Sequence, residues 1–153
     1  MDRFSAKGFG ISSGISTMMG LLVGFYATNA SKMVILSALL SLIISDPISD
    51  SYGIYISLVG SNPELANKYF LEIFIYKLLI QLWFFLIMLL TPLKLGFMLS
   101  FITGTMLIIV DYVTRFKDTV SVISELVKMS VLIFIIFVAN NILKFYNVLI
   151  DNF

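Results

Sequence analysis

"IISDPISDSYGIYIS", Ile43–Ser57, is the stretch on which the reading of this chain turns. It closes an apolar run that begins at Met33. It also sets two aspartates, Asp46 and Asp50, four residues apart around Pro47, inside what reads as one membrane-spanning helix. On insertion scales an aspartate at the centre of a span costs about 2.5–3.5 kcal/mol. Such a pair is therefore neutralised, paired, hydrated or used. At about 100° per residue, Asp46, Asp50, Gly53 and Ser57 fall within roughly 60° of one another. Pro47 lacks an N–H and is expected to loosen the preceding turn, freeing a carbonyl near Ile43. Two carboxylates, a hydroxyl and a carbonyl on one stripe suit Mg²⁺, Mn²⁺ or Fe²⁺ better than zinc or Cu(I). The bland alternative has one aspartate protonated and hydrogen-bonded, with the other near the interface in water.

The surrounding chain supports a membrane setting. Of 153 residues, 59% are hydrophobic and 12% charged, with a mean hydropathy of +1.03. A soluble domain is nearer half apolar and a quarter charged. The net charge of +1 suggests no nucleic-acid partner. Cysteine and histidine are both absent. That removes disulfides, thiolate and imidazole metal sites, and every triad that uses histidine as base. The first apolar run is studded with Gly, Ser and Thr and has no small-residue cleavage pattern, so it is expected to remain as a span.

A span needs about 20 mostly apolar residues. The expectation is an all-α polytopic protein in a single transmembrane domain, with five helices near Phe9–Thr28, Met33–Leu58, Leu71–Leu90, Leu95–Val113 and Val120–Phe145. The connection Gly60–Lys68 contains "GSNPEL", a turn and helix start. Arg3, Lys7, Lys68, Arg115 and Lys117 lie on one side, against Lys32, Lys94 and Lys144 on the other. This bias places the N-terminus in the cytoplasm and the C-terminus outside or in a lumen. Short loops and the absence of cysteine fit a prokaryotic plasma membrane. Glu72, Lys77, Asp111, Asp118, Glu125 and Lys128 fall near expected helix ends, where hydration is cheap.

On the first helix Gly10, Ser13, Thr17, Gly20 and Gly24 share an arc of roughly 80°. Small residues on one face let another backbone approach closely. Both self-association and packing on a neighbouring helix of the same chain fit this arc.

These two helices resemble the vacuolar iron transporter family. "GISSGIST" (Gly10–Thr17) and "ISDSYGIYIS" (Ile48–Ser57) carry the likeness through Gly10, Ser12, Gly14 and Thr17, then Ser49, Gly53, Tyr55 and Ser57. The resemblance implies five helices and a homodimer paired through its first helices. It further implies export of Fe²⁺ or Mn²⁺, in many members in exchange for protons. The chain departs from the pattern where the family has its signature acids. Ser13 stands in place of an aspartate, Asp50 of a methionine and Ile54 of a glutamate.

The expected function is therefore transport of a divalent cation, carried as substrate with no resident cofactor. Its site would comprise Asp46, Asp50, Ser49, Ser13 and Thr17. Without a cation between them, two close carboxylates are expected to share one proton, which makes proton exchange natural. Two alternatives stand beside it. One is a scaffold or binding protein on the same fold. The other is an intramembrane metal-dependent enzyme, although the further motifs such enzymes need are missing from this chain.

Overall fold

The computed structural model describes residues 5–115 and, beyond them, residues 123, 124, 127, 130, 131, 134, 135, 138 and 142. Four helices follow in chain order: α1 (Ala6–Ala27), α2 (Lys32–Val59), α3 (Pro63–Leu90) and α4 (Leu93–Arg115). All four carry stretches long and apolar enough to cross a membrane. No strand occurs among the described residues. The fifth expected span, Val120–Phe145, lies outside them apart from scattered positions.

Local chemistry sets the helix starts. Ser5 accepts from the Gly8 N–H at 3.2 Å, Ser31 from the Val34 N–H at 3.4 Å, and Asn62 from the Leu65 N–H at 3.0 Å. Each side chain satisfies one of the amides that a helix start leaves unpaired. α1 and α2 are joined through Asn29, whose φ of 51° is a left-handed conformation that asparagine tolerates.

One expectation is corrected here. α3 begins at Pro63, not at Leu71. The Asn62 cap, Pro63 and Glu64 start the helix before its apolar stretch, because capping marks where a helix begins and hydropathy marks only what lipid would cover. Lys77 consequently falls near the middle of a 28-residue helix, away from its end. α2 is continuous through Pro47, which is buried, and the missing N–H of Pro47 leaves the Ile43 carbonyl without its helical donor. One turn on, Ser51 donates to the carbonyls of Pro47, at 2.6 Å, and Ile48, at 3.1 Å.

α3 is the hub of the bundle and packs against the other three helices. α2 and α3 form an antiparallel hairpin. At its far end the Lys32 ammonium donates to the carbonyls of Leu89 (3.0 Å) and Thr91 (2.8 Å). A cation there satisfies carbonyls that the end of α3 would leave open and meets the negative end of its dipole. The apolar core fills this half of the bundle. Ile15, Met18 and Leu22 of α1 meet Ile35 and Leu39 of α2, Phe84 and Met88 of α3, and Phe97 and Ile108 of α4.

Of the two readings of the small-residue arc on α1, Gly10 follows packing within the chain. A Cβ at Gly10 would meet the Ile73 carbonyl oxygen of α3 at 2.9 Å, and one at Gly14 would meet Ile80 at 3.2 Å. Glycine is required at position 10 by this backbone approach. Thr17, Gly20 and Gly24 are half-buried further along the helix.

Candidate functional site: a buried ammonium between two carboxylates

Along α2 the residues sort into rows four apart. Ile35, Leu39, Ile43, Pro47 and Ser51 are buried, whereas Ser41, Ser45, Ser49 and Gly53 are exposed. Asp46 and Asp50 lie on the row between, with side chains 19% and 30% exposed. The buried stripe of α3 faces them with Ile73, Lys77 and Gln81. Lys77 and Gln81 are also four apart, and because the two helices are antiparallel the pairs meet in reverse order. Lys77 bonds Asp50 and also lies 2.8 Å from Asp46. The Gln81 side-chain amide donates to Asp46.

From α1, Ser13 completes the cluster. Its hydroxyl donates to Asp50 at 2.6 Å and lies 2.9 Å from the Lys77 ammonium. Three helices thus place four polar side chains around Lys77, which is 1% exposed. Gln81 is fully buried, and its carbonyl oxygen has no hydrogen-bond partner among the described residues. Satisfied buried polar groups are the rule, so an orphaned carbonyl in a cluster this well paired calls for an explanation. A bare buried acceptor costs about 1–3 kcal/mol.

The structure brings together three of the five residues expected at an ion site: Asp46, Asp50 and Ser13. Ser49 sits on the exposed row of α2, one row away from the carboxylates. Thr17 makes no hydrogen bond to either carboxylate among the described residues. Lys77 and Gln81 escape a sequence reading that starts α3 at Leu71, since this places the lysine where side chains snorkel. The signal that could have found them is their spacing, which matches that of the aspartates on a neighbouring antiparallel helix. Lys77 lies within ion-pair distance of both carboxylates, a partner that the sequence reading did not place there. Among the described residues no three acidic, Cys or His side chains gather as a metal cage.

A second polar tie lies beside the first. Ser12 donates to Asp111 Oδ2 at 3.4 Å, linking α1 to the buried acid of α4. No family model, no curated protein and no solved structure matches the chain.

Proposed function

We propose that this chain is a membrane transporter of cations and that the cluster of Asp46, Asp50, Lys77 and Gln81 is its ion-binding centre. One observation carries this reading: two partly accessible carboxylates flank a buried ammonium inside a membrane span. Ionisable groups at that depth are expensive to keep and mark ion or proton paths more often than not. An incoming cation sheds water against the carboxylate oxygens, and the Lys77 ammonium keeps those oxygens paired between one ion and the next. The exchange of Fe²⁺ or Mn²⁺ for protons, suggested by the family resemblance, would require Lys77 to leave the pair.

A structural role is the second reading, favoured by the completeness of the Lys77 bonds. On that reading the network pins α1, α2 and α3 together and carries nothing. Flux into proteoliposomes separates the two, with Na⁺, K⁺, Mn²⁺ and Fe²⁺ offered in turn. Transport predicts flux of at least one of these, lost in Asp46→Asn and Asp50→Asn while both variants remain folded. A wild-type chain that carries none of them would leave the structural role.

A further inference from the structure

We infer that Lys77 sets the charge of the ion this site accepts, and that the site takes a singly charged alkali cation held between Asp46 and the Gln81 carbonyl oxygen. The inference rests on the proposal that the cluster is a cation site, and it names the class of cation.

The argument begins with a count of charge. Asp46 and Asp50 contribute two negative charges and Lys77 one positive, leaving one negative charge. Among the described residues, the hydrogen bonds and ion pairs of these three side chains otherwise involve Ser13 and Gln81, both neutral. In hydrocarbon the uncompensated charge is what costs, at several kcal/mol per ion even after relaxation. A singly charged cation brings the cluster to zero. A doubly charged one leaves it at plus one unless the ammonium is expelled, and Lys77 is the most deeply buried of the three charged members and the one with the most partners.

The second step concerns position. Lys77 is bonded to Asp50 and Ser13 as well as to Asp46, so that side of the cluster is filled. Asp46 has as its other partner the Gln81 amide, whose own carbonyl oxygen is fully buried and unpartnered among the described residues. A hard cation seated between an Asp46 carboxylate oxygen and Gln81 Oε1 gives that orphan oxygen its partner. Carboxylate and amide carbonyl oxygens are the ligands hard cations take. The Gln81 side chain is therefore a direct ligand, while Lys77 acts through charge and does not touch the ion.

The test is equilibrium binding to the full chain in detergent, using radiolabelled Na⁺ with K⁺ as competitor and Mn²⁺ followed by its paramagnetic resonance. Wild type is expected to bind Na⁺, with Mn²⁺ weaker by about tenfold or more, as a unit of charge at close range implies. Gln81→Leu should lower Na⁺ binding by about tenfold, because it removes a ligand and leaves the charge count alone. Lys77→Met takes the cluster to minus two and should reverse the preference toward Mn²⁺. The double variant Lys77→Met with Asp50→Asn returns the count to minus one and should restore the preference for Na⁺. If Lys77→Met does not fold, the double variant and Gln81→Leu still decide the matter. Wild type selecting Mn²⁺ over Na⁺ overturns the inference while cation transport stands. Na⁺ binding indifferent to Gln81→Leu overturns the assigned position. A wild-type chain that neither binds nor carries any of these ions overturns the transport proposal itself.

Discussion

The two halves of the α1–α2–α3 bundle are held by different chemistry. Toward one end, Met18, Leu22, Ile35, Leu39, Phe84 and Met88 interlock with no polar group among them. Toward the other, Ser13, Asp46, Asp50, Lys77 and Gln81 join the same three helices through hydrogen bonds and ion pairs. Between spans in lipid, an apolar contact exchanges one greasy neighbour for another, so association rests on close packing and on polar contacts. Packing tolerates small slips of one helix along another. A lysine placed between two aspartates one turn apart does not, since a one-residue shift of α3 would carry the ammonium out of the pair. The polar half therefore fixes register, and the apolar half supplies contact area.

The largest effect is expected from Lys77→Met. It strands two carboxylates, and breaking a buried pair on one side costs about 3–5 kcal/mol. Thermal unfolding in detergent should show a much lowered midpoint, with most of the loss recovered when Asp50→Asn is added. Failure of that rescue would mean that the cluster does not act as a unit.

Next comes the apolar half. Leu39→Ala, at a fully buried position, is expected to cost about 2–3 kcal/mol as a cavity, with no partner variant to rescue it. Gly10→Leu should cost about 1–3 kcal/mol by forcing α1 away from the Ile73 carbonyl. It should do so in a monomer, because this contact lies within the chain. Gly20→Leu tests the homodimer that the family resemblance implies. Sedimentation in detergent should show dimer weakened by Gly20→Leu, and a dimer indifferent to it counts against pairing through the first helices.

The smallest effect belongs to the start of α3. Asn62→Ala removes a capping acceptor and should lower stability by about 1 kcal/mol, visible as faster hydrogen exchange at Leu65 and Ala66 alone.

How much of this was legible follows the same division. The apolar spans and their all-helical character could be read from composition, since few other structures satisfy a backbone in lipid. The stripe formed by Asp46 and Asp50 was visible from helical geometry, and Ser13 was expected at the same site. Lys77 was not, because its depth in the membrane depends on where α3 starts, and Asn62 and Pro63 fix that start outside the apolar run. Gln81 was invisible for a different reason. A neutral amide in a span draws no notice until the carboxylate across from it is placed, and no local pattern does that.

The Lys32 bonds to the carbonyls of Leu89 and Thr91 bear on how such a bundle can move. The α2–α3 hairpin is tied covalently at one end by the Gly60–Asn62 turn and latched at the other by this ammonium. Splaying the two helices at the latch would leave carbonyls bare at the membrane edge. The hairpin is thus fastened at both ends. α1 is held against it by the approach of Gly10 to the Ile73 carbonyl, by Ile15, Met18 and Leu22 in the apolar core, and by the Ser13 hydroxyl.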